Sequence, residues 1–107
     1  MHIFEVEEVS RERAGAKLAY LEFLRVPQMS LGIYHLRAGA KDPQKPHRED
    51  EAYYVVSGRG MMQVAEEERA VEPGTVIFVP ARVEHRFHSI TEDLAVLVTF
   101  APAETAE

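Results

Sequence analysis

Cysteine is absent from the 107 residues, which excludes a disulfide, a thiolate metal site and a cysteine nucleophile. Nothing in that composition argues for an oxidising compartment. Long hydrophobic runs are missing as well: no apolar stretch approaches the roughly 20 residues of a membrane-spanning helix. The opening segment, MHIFEVEEVSRER, carries acidic side chains early and lacks the apolar core of a signal segment. The expectation is a cytoplasmic protein without a membrane partner. Positive charge is in deficit, with 12 Lys and Arg against 18 Asp and Glu and a formal charge of −6. The cations are scattered, whereas a nucleic-acid backbone requires a cationic face, so no nucleic-acid partner is expected. A phosphate-cradling loop is lacking too, because Gly58-Arg59-Gly60 leads into another strand rather than a helix. No serine nucleophile elbow, repeat or low-complexity segment is present.

What remains is β-rich. Residues 1–107 fit one domain, large enough to bury about two thirds of its unfolded surface without cross-links. Residues 3–9 read as a first strand with a wet face of Glu5, Glu7 and Glu8, followed by a turn at Gly15. Residues 17–26 suit either helix or strand by periodicity, and the surrounding pattern favours strand. Residues 29–37 form another, with Gly32 as a candidate bulge. Ala52-Tyr53-Tyr54-Val55-Val56 is a strand of aromatic and β-branched residues, which residues 57–60 should end with a turn. Residues 61–65 and 69–72 flank a hairpin tip at Glu66-Glu67-Glu68, read as solvated charge. Pro73-Gly74 turns into the strand at 75–79, a loop covers 80–84, and His85 opens the next strand. A polar turn at residues 91–93 precedes a buried strand at 94–100, and residues 101–107 form a short acidic tail expected to fray. Eight to ten short strands at roughly ten-residue spacing indicate a sandwich or barrel.

The chemistry concentrates at two strand mouths. His47 and Glu51 have even spacing, so in extended backbone they share a face, and imidazole with carboxylate is a donor set for divalent first-row metals. His85 places a second imidazole at another strand mouth. Glu49 and Asp50 read as solvated loop charges. Tyr53 alternates with Glu51 and faces the same cavity, as a core aromatic or as a hydrogen-bond donor to a ligand. Ile77 and Phe87 are expected to line that cavity with it, while His88 faces away. Met61 and Met62 read as packing, and His2 and His35 receive no role.

Together the two stretches resemble the paired motifs of the cupin superfamily. Glu51, the six residues AYYVVS and Gly58 match the first motif (residues 39–60), with Gly39 near its start. Gly74, TVIFV, Pro80 and His85 match the second (residues 74–89), with Arg82 where the family usually has glycine. The resemblance implies an all-β double-stranded β-helix, or jelly-roll barrel. It also implies a divalent transition metal (Zn, Mn, Fe or Ni) held by His47, Glu51 and His85. The motif's first histidine is missing: spacing puts it at Lys45, which has no acceptor. Polyproline II geometry around Pro43 and Pro46 would return Gln44 to the side of His47, so Gln44 is preferred as fourth ligand, with Glu49 the competitor and water the third option. Arg82 either is solvated or meets an anionic substrate at the rim. The functions implied are a metal-dependent small-molecule enzyme of dioxygenase, isomerase or cyclase type, or a non-catalytic binding or sensing domain with a structural metal. A homodimer is expected, because a small jelly roll exposes sheet edges and apolar faces. Val6, Leu21, Phe23 and Tyr54 are its candidate surface.

Overall fold

The computed structural model describes residues 1–105. Its elements are α1 (Val6–Ala16), β1 (Tyr20–Val26), β2 (Met29–Leu36), β3 (Asp50–Val64), β4 (Glu67–Val71), β5 (Val76–Val79) and β6 (His85–Ala101). The strands run β1-β2-β6-β3-β4 in antiparallel order, and β5 pairs with β3. This is a cupin-type antiparallel barrel, and it carries six strands among the described residues rather than eight to ten. The difference lies in β3 and β6, which are 15 and 17 residues long and do not stop where turn residues suggested. Residues 57–60 and 91–93 are not turns. They lie inside the two strands and face each other across the ladder, where the register slips repeatedly between Val55 and Met61. Bulges of this kind bend a strand and increase its twist without ending the pairing.

The bend is large. Register sets Glu51 opposite Phe100 and Val64 opposite His85. A flat strand would separate Glu51 from Val64 by about 43 Å over 13 steps (64 − 51) at about 3.3 Å each. Yet His85 lies 3.1 Å from the Glu51 carboxylate. The two long strands therefore curl back on themselves, and the curl brings the mouth of β3 to the mouth of β6. Gly58 makes it sterically feasible: its φ is +95°, and a Cβ there would lie 2.1 Å from the Asp93 carbonyl oxygen.

The inner face follows from strand alternation. Register aligns Ser30, Phe100, Glu51 and Val79 in one row across four strands, and Gly32, Val98, Tyr53 and Ile77 in the next. These residues and Tyr34, Val55, Val96 and Phe87 form the core. Gly32 is not a bulge. Its missing side chain leaves room for the Tyr20 ring, which would sit 2.2 Å from a Cβ, and the register shift falls in β1 between Glu22 and Leu24.

Residues 3–9 do not form a strand. The chain is helical from Val6, with Glu7 and Glu8 in the first turn and Arg13 in the last, which suits the helix dipole. The acidic pattern read as a wet strand face is a solvated helix face, and Val9 alone is buried from it. Gly15 lies inside the helix, which ends instead at Lys17 in a left-handed conformation (φ 59°). The β3–β4 turn is at Ala65-Glu66, and Glu67 already belongs to β4. The tail is not frayed over its described part: Ala103 is buried and Glu104 half-buried. Residues 106 and 107 lie outside the described residues.

Gly58 and Gly74 both adopt positive φ, but nothing lies within 4 Å of a Cβ on Gly74. Gly58→Ala should cost about 3 kcal/mol or more, since strain and collision with the Asp93 backbone add. The melting temperature should fall by roughly 12 °C or more. Gly74→Ala carries only the strain and should cost about half as much. Equal thermal shifts for the two variants would show that the close approach at Gly58 does not support the bend.

Candidate metal centre

Glu51 enters the barrel from the start of β3, on the inner row, with its side chain 1% exposed. His85 enters from the start of β6, fully buried. His47 lies on the loop before β3, mostly covered, with Nε2 3.9 Å from Glu51 Oε1. The backbone amide of Arg82 donates to the His47 carbonyl at 2.6 Å, tying the loop of the first motif to that of the second. Arg82 itself holds φ 66°, a left-handed conformation that favours glycine. That explains the family's glycine at this point. Arg82 is exposed and does not line the cavity.

His47, Glu51 and His85 form a cluster in which one ligand atom from each lies within 4.8 Å of the others. Its hydrogen bonding is incomplete in an informative way. His85 Nδ1 lies 2.9 Å from the Val83 carbonyl oxygen, so it carries the proton and Nε2 presents a lone pair. That lone pair faces Glu51 Oε1 at 3.1 Å. His85 Nε2 and both Glu51 carboxylate oxygens are buried without a hydrogen-bond partner. Two acceptors at contact distance need a cation between them, either a proton or a metal ion. The donor set of two imidazoles and a carboxylate fits a divalent transition metal.

Gln44 is brought to this centre, and Lys45 is not, being exposed. Gln44 Oε1 is 3.2 Å from His47 Nε2 and accepts from the Tyr53 hydroxyl at 2.9 Å. Its amide nitrogen donates to Asp42 Oδ2 at 2.8 Å. A carboxylate only accepts, so Asp42 fixes which end of the amide points inward. The same carboxylate accepts from Tyr34 Oη at 2.8 Å and from the backbone amide of Phe87 at 2.9 Å. Glu49, read from sequence as solvated, is 3% exposed and accepts from the Thr105 amide and hydroxyl at 3.2 and 2.7 Å. Asp50 stays exposed while accepting from the Ala81 amide at 2.9 Å.

A cavity of about 170 Å³ adjoins the cluster, lined by Tyr20, Tyr34, Gln44, His47, Glu51, Val98, Phe100 and Glu104. The residues expected to line it are placed differently. Tyr53 is in the core with its hydroxyl committed to Gln44, and burial together with the Glu51 charge pushes its pKa well up, so it remains a donor. Phe87 is fully buried with its ring 5.1 Å from that of Tyr53. Ile77 borders a separate cavity with Met62, Val64 and Val71. His88 pairs with Glu68, outside the centre. Four contributors escaped sequence reasoning: Tyr20, Tyr34, Asp42 and Glu104. Glu104 Oε2 is 3.5 Å from His47 Nδ1, and no local pattern in the acidic tail signals it.

An antiparallel barrel with a His, Glu, His cluster at the mouths of two curled strands defines the cupin class. The chain belongs to that family: the cupin domain model matches residues 32–101. An uncharacterized protein of Streptomyces coelicolor is 51% identical over 105 residues, 98% of this chain and 100% of that one. Among solved structures, TT1209 of Thermus thermophilus aligns with a TM-score of 0.75 at 26% identity, covering 96% of this chain and 99% of that chain. The DMSP lyase DddQ of Ruegeria pomeroyi aligns at 0.67 and 19% identity over 71% of this chain, which spans only 39% of the lyase.

Burial is the largest single influence on His85 and lowers its pKa. The hydrogen bond that a protonated Nε2 would make to Glu51, the bond to Val83 and the charges of Glu51 and Asp42 outweigh it, so the pKa is raised. In metal-free protein the stability from this pair is therefore fully present below about pH 6.5, the ordinary histidine value, and is lost as pH rises through the folded-state pKa. A metal ion needs the deprotonated imidazole and follows the opposite trend. Thermal denaturation of chelated protein should show this contribution intact below about pH 6.5 and declining as pH rises above it, while the increment from added Zn²⁺ grows as it declines. A zinc increment independent of pH would contradict the assignment of His85 as a ligand.

Proposed function

We propose that the protein is a metal-dependent cupin in which His47, Glu51 and His85, with Gln44 as fourth ligand, hold a divalent transition metal for chemistry on a small molecule in the adjoining cavity. The observation that carries this reading is the buried Glu51 oxygen facing the His85 Nε2 lone pair. Zinc, manganese, iron and nickel all suit such donors. The bound ion supplies Lewis acidity toward a carbonyl or hydroxyl group, or oxygen chemistry. The chain's own residues orient and enclose the ligand. Val98 and Phe100 form an apolar wall, while Tyr20 and Tyr34 give the cavity an aromatic side. At about 170 Å³ it is close to the size of a ~150 Å³ cavity that accepts benzene, which sets the scale of the ligand. Two carboxylates and no Lys or Arg line it among the described residues. An uncharged ligand is therefore favoured over a polyanion, and Arg82 gives no rim cation to the cavity.

The DMSP lyase neighbour establishes that this fold hosts catalysis, without assigning a reaction to this chain. One observation favours the alternative of a binding or sensing domain. Tyr53, read from sequence as a core aromatic or a hydrogen-bond donor to a ligand, is closed off from the cavity by its bond to Gln44. Ligand-dependent turnover by metal-loaded protein supports the enzyme; saturable binding without turnover supports the sensor.

Metal titrations against a chromophoric chelator test the ligand set. Gln44→Ala should weaken binding about tenfold, or about 1.4 kcal/mol, because water can replace an amide oxygen. His47→Ala and Glu51→Gln should each cost at least about a hundredfold. Glu49→Gln should change little, since that carboxylate is engaged by Thr105. If Glu49→Gln cripples binding while Gln44→Ala is silent, the fourth ligand is Glu49.

We also propose a homodimer. Tyr54, Val76 and Phe78 are 45, 68 and 61% exposed and lie together on the outer face of the β3–β5 pair. This apolar surface is better suited than Val6, Leu21 or Phe23, which are each partly covered by their own chain; the Phe23 ring packs 4.9 Å from that of Phe4. Light scattering should return twice the 12.1 kDa chain mass, and Phe78→Glu should shift the protein toward monomer. A monomer at micromolar concentration rules the dimer out.

A further inference from the structure

The residues that follow β6 are strapped down beside the metal centre by polar contacts. The Ala103 amide donates to the Pro27 carbonyl at 3.3 Å. The Glu104 amide donates to Ser30 Oγ at 3.0 Å, and Arg25 Nη2 donates to the Glu104 carbonyl at 2.6 Å. The Thr105 amide and hydroxyl both donate to Glu49 Oε2. Ser30 and Glu49 are 0 and 3% exposed, so the strap satisfies polar groups buried on β2 and ahead of β3. Little apolar surface is buried in return beyond Ala103. What this anchoring delivers is the Glu104 side chain, which lines the cavity with Oε2 3.5 Å from His47 Nδ1.

A histidine ligates through one nitrogen only when its proton sits on the other, and that proton needs an acceptor. His85 has the Val83 carbonyl for this purpose. Among the described residues no backbone carbonyl takes that role for His47. Its Nε2 lies 3.2 Å from Gln44 Oε1, so the tautomer protonated on Nε2 has a ready acceptor, and in it the ligating nitrogen is blocked. The opposite tautomer places its proton on Nδ1, whose nearest recorded acceptor is Glu104 Oε2 at 3.5 Å. The Phe100 ring, 4.9 Å away and nearly perpendicular, braces the imidazole without offering an acceptor.

We infer that Glu104 is a positioning residue of the metal centre, delivered by the C-terminal strap to hold His47 in the tautomer that presents Nε2 to the cation. The inference rests on the metal-centre reading above. The strap is thereby part of the site, although it lies outside both sequence motifs.

The test compares wild type, Glu104→Gln and Glu104→Ala, each titrated with Zn²⁺ in competition with a chelator and then examined zinc-loaded by proton NMR at the His47 Nδ1–H. Glu104→Ala should bind zinc 10- to 100-fold more weakly, the usual cost of losing such an orienting partner. Its Nδ1–H resonance should shift and exchange faster with water. Glu104→Gln keeps an oxygen acceptor and should recover most of the affinity and a protected resonance. Glu104→Ala binding within twofold of wild type, or leaving the resonance unmoved, overturns the inference. So does Glu104→Gln binding as weakly as Glu104→Ala, because charge rather than orientation would then be at work. Wild type failing to bind zinc is a separate result that overturns the metal centre itself.

Discussion

A carboxylate and an imidazole lone pair face each other inside the barrel, and the rest of the structure depends on how that contact is neutralised. Leaving Glu51 ionised and unpaired in the interior would cost several kcal/mol. A proton shared with His85 would relieve this in metal-free protein, and the proposed divalent cation would relieve it more fully by also engaging His47 and Gln44. The neighbouring groups leave this interaction open. The Val83 carbonyl takes the Nδ1 proton of His85, and the Tyr53 hydroxyl goes to Gln44 instead of Glu51. No donor among the described residues quenches the carboxylate oxygens.

Bringing those groups together is the work of the bend. Glu51 and His85 sit at opposite ends of one β3–β6 ladder, and a flat sheet would keep them tens of ångströms apart. The slipped register at residues 57–60 and the positive φ of Gly58 let the ladder curl until its ends meet. The glycine that closes the first sequence motif is thus far from the ligands along the strand but sets the distance between them. This gives it a physical reason to accompany them in the pattern.

The same bend explains what was legible in the sequence and what was not. Strands at 29–36 and 76–79 follow from residue type and flanking turn residues, and the one at 20–26 follows only from the surrounding β pattern, since its own periodicity suits helix as well; each forms close to its expected bounds. The pairing of His47 with Glu51 follows from spacing, and the resemblance of the two motifs adds His85 to it. Residues 57–60 and 91–93 were misread because a bulge and a turn draw on the same residue types, and only the partner strand distinguishes them. The N-terminal helix was misread because acidic residues on a wet strand face and in a first helical turn look alike over a few positions. Glu49 looked solvated because the group that buries it, Thr105, lies 56 residues away. Asp42 and Glu104 act through tertiary contacts that no local periodicity encodes.

Asp42 also bears on the proposal that glutamine stands where the family keeps its first histidine. A free glutamine side chain is a weak ligand for two reasons: its oxygen is a modest donor, and ordering it costs up to about 2 kcal/mol of rotamer entropy. Here the second cost is met before any ligand arrives. Asp42 Oδ2 holds the amide nitrogen, and Asp42 Oδ1 and Oδ2 are themselves held by Tyr34 and by the Phe87 amide. Tyr53 occupies one lone pair of Gln44 Oε1, which leaves the other directed toward His47 and the centre. Three elements, β2, β3 and β6, thus fix one amide in one rotamer and one flip state. The intrinsic weakness of the donor remains, but its orientation is supplied by the fold, and that part of the difference between histidine and glutamine is removed.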